Sequence, residues 1–256
     1  MRKMAYLSDI GRVRKINEDC LAVQDNLNGL TLAIVADGMG GHQAGDVASA
    51  MAVELIQQGL QNLHQDVPVE ARHVLIKETL ESANEKIFEF ASARENYHGM
   101  GTTAIAVAAD DHHAVIGHIG DSRVYWIRGN RIDQVTEDHS LVNELVRSGQ
   151  ISREEANHHP RRNVLTRALG TEPTIEVDVL QVDWQNGDLL LLCSDGLSSR
   201  VEPGQILQLA SGDGDLDVKV HKLVNEALDA GGDDNITVIL LANGEVAAVH
   251  NDGEVG

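Results

Sequence analysis

Cysteine is scarce in this chain: Cys20 and Cys193 are the two, far apart and each within an apolar stretch. That excludes a disulfide framework as the source of stability and suits a reducing compartment. Proline (4 residues) and aromatics (3%) are also sparse, so aliphatic side chains must fill the interior. Long hydrophobic runs are missing. Nothing approaches a membrane span, and the opening MRKMAYLSDIG has no apolar core long enough for a secretory signal. The expected setting is cytoplasmic, with no membrane partner. Positive charge is short as well: 20 basic residues face 40 acidic ones, a formal charge of −20. Nucleic acid is disfavoured as a partner, because phosphate backbones are bound by basic surfaces. The acidity itself has two readings. It serves solubility, or some of the acids are metal ligands counted as bare charges because their cation is not in the sum.

Glycine, by contrast, is plentiful (24 residues), and several glycines adjoin aspartate. The stretch Leu32 to Gly45 reads LAIVADGMGGHQAG. A short continuous apolar run, the pattern of a strand buried in a sheet, delivers Asp37 into a glycine-rich turn before a helical pattern begins. A buried ionised carboxylate needs a partner, and no Lys or Arg lies between Thr31 and Glu70. The design recurs where Leu189 to Cys193 runs into Ser194-Asp195-Gly196, and Asp234 stands beside Asn235 at the head of a last apolar run. Asp121 (in Gly120-Asp121-Ser122) and Asp19 are placed similarly. Three carboxylates within about 4 Å would repel pairwise by roughly 4 kcal/mol at an effective dielectric near 20. A divalent cation relieves that, and an all-oxygen ligand set selects Mg²⁺ or Mn²⁺. On spacing alone, a metal centre and a set of structural Asp-Gly turns both stay open.

Periodicity supplies the elements. Strands are expected over Ala5 to Ser8, Cys20 to Val23, Leu30 to Val35, Ala104 to Ala109, His113 to Ile119 and Arg123 to Ile127. Further strands are expected over Ile132 to Val135, Ile175 to Val182, Asp188 to Cys193 and Ile236 to Leu241. Helical spacing begins at Ala44 and again after Pro68, where Ile76, Leu80, Ala83, Ile87 and Phe90 recur at steps of four and three. Asp138 to Arg147 reads as a helix, Ser152 with Glu155 as a capping box, and Leu216 to Ala227 as a last amphipathic helix. From about His139 to Leu169 the chain has little apolar periodicity and looks like a surface excursion, a feature often tied to function. Antiparallel-type strands with helices bunched between them indicate an α+β layered sandwich.

The ordered set Arg14-x-x-Asn17-Glu18-Asp19, Asp37-Gly-Met-Gly-Gly41, Gly101-Thr-Thr103, Gly120-Asp-Ser-Arg123, Ser194-Asp-Gly196 and Gly232-Asp-Asp-Asn235 resembles the type-2C protein phosphatases. These are the metal-dependent serine/threonine phosphatases of the PPM class, and the bacterial branch fits best. The resemblance covers about residues 4 to 242. It implies a four-layer α/β/β/α sandwich, two packed antiparallel sheets flanked by helices, as one catalytic domain over residues 1–242. A flap subdomain would occupy about 139–169, and a polar tail 243–256.

The same resemblance implies a cofactor set and residue roles. Two Mg²⁺ or Mn²⁺ ions would be bridged by Asp37, with Asp195 and Asp234 completing one site and the Gly38 carbonyl serving the other. Asp19, and less directly Glu18, would hold metal-bound waters, and Asp121 with Asp195 would bind a weaker third ion. Arg14 would grip the substrate phosphate, as a guanidinium fork suits phosphate oxygens. Catalysis would rest on Arg14, Asp37, Asp195 and Asp234: a hydroxide bridging the metals attacks the phosphorus of phosphoserine or phosphothreonine in line. A monomer reversing kinase signalling in a bacterium follows, with phosphorylated proteins as partners, among them a cognate kinase or its substrates.

The chain departs from the animal pattern at Met39, where animal members place a histidine proposed as general acid. His42 is a nearby substitute and a weak substrate contact; Arg161 in the excursion is a second weak substrate contact. Near-miss motifs fail: Cys193 and Arg200 are one residue too far apart for a cysteine-phosphatase loop, and Gln43 stands where a dinucleotide loop needs glycine. The rival reading is a catalytically dead scaffold, which predicts loss of one or more metal acids.

Overall fold

Both faces of the central strands are buried, which is why they read as unbroken apolar runs rather than alternating ones. The computed structural model describes residues 3–40 and 44–244. Its strands are β1 (Lys3–Asp9), β2 (Asp19–Leu27), β3 (Leu30–Met39), β4 (Gly101–Thr102), β5 (Ala104–Ala109) and β6 (His113–Ile119). They continue with β7 (Arg123–Arg128), β8 (Arg131–Gln134), β9 (Asp178–Asp183), β10 (Leu189–Cys193) and β11 (Ile236–Ala242). One antiparallel sheet runs β1-β11-β10-β7-β8, the other β2-β3-β5-β6-β9 with β4 added to the end of β3.

Alternate side chains of these strands enter different cores. Leu32, Ile34 and Ala36 of β3 pack under the helices α1 (Gly45–Leu60) and α2 (Val69–Ser92), with Ile56, Ile76, Leu80 and Ile87. Ala33 and Val35, one residue out of phase, meet Leu190, Leu192, Ile239 and Leu241 between the two sheets. On the far side, Leu191, Cys193, Val238 and Leu240 are covered by α6 (Pro203–Ser211) and α7 (Leu216–Asp229) through Ile206, Val220, Leu223 and Ala227. The result is helices, sheet, sheet, helices, the expected α+β sandwich. The first strand closes on the last: β1 pairs with β11 from Lys3↔Ala242 to Asp9↔Ile236.

The excursion leaves and returns at one place. Its helices are α3 (Leu141–Arg147), capped by Ser140, and α4 (Arg153–Asn157), which carries the expected Ser152–Glu155 capping box. Ser140 and Leu165 pair as an isolated bridge, and Leu169 pairs with Thr102 at the end of β4.

Several boundaries differ from the sequence reading. β3 continues past Asp37 to Met39, because Gly38 and Met39 pair with Thr102 and Gly101. The helix expected from Asp138 starts at Leu141, since Ser140 is its cap and Asp138 is held by Arg123 through bonds of 2.6–3.1 Å. The strand expected from Ile175 starts at Asp178. Helix α6 was not anticipated, although Pro203 at its first turn and Ile206 with Ala210 one turn apart carry its signal. Cys20 and Cys193 are both free thiols, as expected. No helix of the described residues is long and apolar enough to cross a membrane. The tail from residue 245 onward lies outside the described residues.

Candidate metal centre

The acids singled out by the sequence converge at one end of the sandwich, and both sheets contribute. Asp19 and Asp37 face each other across β2 and β3 as register partners. Asp195 begins a single helical turn, α5 (Asp195–Ser198), after β10, and Asp234 precedes β11 in the same sheet. Ser194 joins the sheets: its Oγ donates to Asp19 Oδ2 (2.7 Å) and accepts from the Thr237 amide (2.9 Å). Asp121 lies in the turn between β6 and β7, close enough to Asp37 and Asp195 for their charges to interact.

Backbone geometry leaves the Asp37 carboxylate committed to this cluster. Its amide donates to Thr103 Oγ1 (2.9 Å), and its carbonyl accepts from Thr102 Oγ1 (2.9 Å) and from the Thr103 amide (2.9 Å). Gly38 is required by a close approach: a Cβ there would stand 2.0 Å from the Gly45 carbonyl oxygen and 2.6 Å from that of Glu18. Glu18 is half-buried beside the centre. Its carbonyl accepts from the Gly38 amide (3.1 Å), and its carboxylate lies close against Gly45 at the start of α1.

Electrostatics show what the site lacks. Each acid keeps some solvent contact, yet protein surrounds it closely enough to raise its pKa. Burial, with neighbouring carboxylates adding to it, pushes Asp195 up to about 6, Asp19 up to about 7 and Asp121 up to about 8. Asp37 is raised well above the usual range by burial and then by the charges of Asp19, Asp195, Asp121 and Asp234. Arg14 touches the cluster directly: its Nη2 donates to Asp234 Oδ2 (2.7 Å) and its Nη1 lies 3.7 Å from Glu18. Arg123 also acts on Asp121 and Asp195 but is hydrogen-bonded to Asp138, so these two guanidiniums do not balance five clustered aspartates. In addition, Asp19 Oδ1 is buried with no hydrogen-bond partner, and leaving such an atom unpaired is costly. An orphaned oxygen among unbalanced carboxylates fits a hard divalent cation, and the all-oxygen donor set fits Mg²⁺ or Mn²⁺.

Arg14, Glu18, Asp19, Asp37, Gly38, Asp121, Asp195 and Asp234 are thus brought together. Arg161 is an exposed residue of the excursion; its amide donates to His159 Nδ1 (3.1 Å), and no hydrogen bond among the described residues ties its side chain to the acids. His42 lies outside the described residues. Sequence reasoning missed Asn235 as a support. Its Nδ2 donates to the carbonyls of Ile10 (2.9 Å) and Ile16 (3.0 Å), and its Oδ1 accepts from the Glu18 amide (2.8 Å). One buried amide therefore fixes both ends of the loop that carries Arg14. Its placement beside Asp234 was the available signal.

The protein phosphatase 2C family profile matches residues 12–229. The serine/threonine phosphatase stp of Listeria monocytogenes is 42% identical over 236 residues, 92% of this chain and 94% of that protein. The solved S. agalactiae serine/threonine phosphatase superposes with a TM-score of 0.90 at 36% identity, covering 94% of this chain and 99% of its own. The catalytic domain of the phosphatase PstP, solved in complex with two manganese ions, superposes with a TM-score of 0.80 at 34% identity over 94% of this chain and 97% of its own. Sequence identity and fold agree over nearly the full length: the chain belongs to the protein phosphatase 2C family and is a phosphoprotein phosphatase.

Proposed function

We propose that this protein hydrolyses phosphoserine and phosphothreonine esters on proteins with two Mg²⁺ or Mn²⁺ ions held by Asp37, Asp195, Asp234 and the Gly38 carbonyl. The observation that carries this reading is the cluster of carboxylates from both sheets with no matching positive charge and an orphaned Asp19 oxygen. When bound, such ions supply a nucleophilic water at neutral pH and a template that neutralises the phosphate. Asp19 and, at longer reach, Glu18 orient water in this centre. Asp121 with Asp195 offers a third, weaker cation site.

Arg14 is 45% exposed in its side chain and carries its guanidinium at the rim of the acids. It exchanges Asp234 for the oxygens of an incoming phosphate, a charge-assisted contact that holds the ester for in-line attack. The excursion over residues 139–169 acts as a flap over substrate access, with Arg161 available to a phosphopeptide. A monomer in the cytoplasm, acting against a cognate serine/threonine kinase or its substrates, is the setting this chemistry suits.

The test is turnover of p-nitrophenyl phosphate and a phosphothreonine peptide with Mn²⁺ and with EDTA. Metal-dependent hydrolysis of both supports the reading; Mn²⁺ binding without hydrolysis of either overturns it in favour of a scaffold. Arg14→Ala is expected to lower kcat/KM by about 10- to 100-fold, the worth of a hydrogen bond to a charged group, chiefly by raising KM. Arg14→Lys, which keeps the charge but not the fork, is expected between the two. Unchanged kcat/KM in the alanine variant would remove Arg14 from the phosphate site.

A further inference from the structure

A second cluster of titratable side chains lies outside the carboxylate centre, at the foot of the excursion. His118, His139 and Asp178 bring ligand-type atoms within 4.8 Å of one another. The imidazoles of His118 and His139 have centroids 4.8 Å apart, and both residues are buried. Hydrogen bonding decides what this group can do. The Gly120 amide donates to His139 Nδ1 (3.1 Å). A backbone N–H has no alternative role, so Nδ1 holds a lone pair and the ring proton sits on Nε2. That Nε2–H points at Asp178 Oδ2 (3.0 Å), whose other oxygen accepts from Arg167 Nη1 (3.0 Å). Both nitrogens of His139 are therefore committed, Nδ1 through its lone pair and Nε2 through its proton, and neither is free for a cation. His118 Nε2 donates to the Ser122 carbonyl (2.9 Å), leaving only its Nδ1 free. One free ring nitrogen beside an already paired carboxylate is not a metal site.

The direction of these bonds points instead toward Asp121. His139 grips the Gly120 peptide twice, since its own amide also donates to the Gly120 carbonyl (2.8 Å). Gly120 has φ +109°, and a Cβ there would lie 2.5 Å from Thr103 Cγ2, so this turn has no slack on its other side. On the far flank of Asp121, Ser122 Oγ is hydrogen-bonded to Thr103 Oγ1 (2.8 Å), the same hydroxyl that accepts from the Asp37 amide. Asp121 is thus suspended between two fixed residues, and one of the fixings is a histidine ring held by Asp178 and Arg167. Both Thr166, whose amide donates to the His139 carbonyl (2.9 Å), and Arg167 belong to the returning end of the excursion.

We propose that His139 is a positioning residue for the third cation: through the Gly120 amide it sets where the Asp121 carboxylate points, and the root of the excursion holds it in that role. The inference rests on the reading above that Asp121 ligates a cation.

Two isosteric substitutions separate the ring's two bonds. His139→Asn places Oδ1 at the position of Nδ1 and keeps an acceptor for Gly120. His139→Gln places an NH₂ at the position of Nε2, keeps the donor to Asp178 and loses the acceptor. Both remove the packing against His118, so damage from lost packing is common to them. Mn²⁺ titration calorimetry of the metal-free proteins gives a readout independent of turnover. The weakest Mn²⁺ site is expected to weaken about 3- to 10-fold in His139→Gln, the worth of one hydrogen bond, with the tighter sites unchanged. In His139→Asn it stays within about twofold of wild type. The Mn²⁺ concentration giving half-maximal turnover should move in parallel while turnover at saturating Mn²⁺ does not. Should either variant fail to fold, Asp178→Asn, away from the Gly120 peptide, is expected to shift the weak site in the same direction by less. Equal weakening in Gln and Asn variants, or none in either, overturns the role of His139. A weak site that survives Asp121→Asn overturns the assignment of Asp121 itself, a separate failure from that of His139.

Discussion

Asp37→Asn will lower Mn²⁺-dependent turnover of p-nitrophenyl phosphate by at least about a thousandfold, a loss of ~4 kcal/mol in transition-state stabilisation. The substitution keeps the shape of the side chain and its strand pairing with Asp19 and removes the charge that, in the proposed reading, would hold the cations. A variant within tenfold of wild type would show that the cluster is not the reaction centre. The same change is expected to stabilise the metal-free protein. Burial and four neighbouring aspartates raise the Asp37 pKa, so the folded state binds its proton more tightly than the unfolded chain does. Stability contributed by this carboxyl therefore falls as pH rises from the ordinary carboxylate range toward its folded pKa, and levels off above it. Asparagine has no such dependence. Metal-free Asp37→Asn should melt above wild type by at least about 3 °C at pH 8.5, roughly 1 kcal/mol for a chain of this size, and by less at pH 5. Comparing the two proteins cancels opposite contributions such as that of His118, which burial pulls down to about 3. A difference that shrinks with rising pH would refute the electrostatic account.

Gly38→Ala is the second large effect, and it falls on the fold and the centre together. A methyl 2.0 Å from the Gly45 carbonyl oxygen and 2.6 Å from that of Glu18 meets backbone on both sides, with no flexible side chain to yield. Either α1 lifts at its first residue or β2 separates from β3 beside Asp19 and Asp37. The expected cost is about 3 kcal/mol or more, within the range for overpacked interiors, seen as a fall in melting temperature of at least about 6 °C. Mn²⁺ should recover little of it, because the displaced strand ends carry Asp19 and Asp37, two of the acids proposed to serve the cations. An unchanged melting temperature would mean that the two elements are free to move apart.

The parts of this protein that were legible in its sequence are those encoded by neighbours in the chain. The run from Leu32 to Ala36 followed by Asp37-Gly38, and Leu189 to Cys193 followed by Asp195-Gly196, announce buried strands and name the acids they deliver. The capping box of Ser152 and Glu155 is likewise local, and the structure reproduces it. What was not legible depends on partners far away in sequence. Gly38 looks like the first residue of a turn, but pairing with Thr102 keeps it in the strand. Thr103 holds the Asp37 amide, and Asn235 clamps the loop of Arg14 across more than 200 residues. Both residues stand in the ordered motifs, Asn235 beside Asp234, but their spacing does not name the distant groups they bind. His139 stands beside Asp138 in a polar segment, and only folding shows that its Nδ1 faces Gly120.

The pairing of β1 with β11 has a consequence for the protein while it is being made. Residues Lys3 to Asp9 have no neighbour in their own sheet until Ile236 to Ala242 arrive, so that sheet stays incomplete during almost the whole of synthesis. Asp234 and Asn235 emerge from the ribosome just ahead of the strand that seats them. A nascent chain therefore carries Arg14, Asp19 and Asp37 for most of its translation without Asp195 and Asp234, the acids that complete the cluster. A chain truncated before residue 234 lacks both Asp234 and the strand that closes the sheet on β1, and is expected to show no Mn²⁺-dependent turnover.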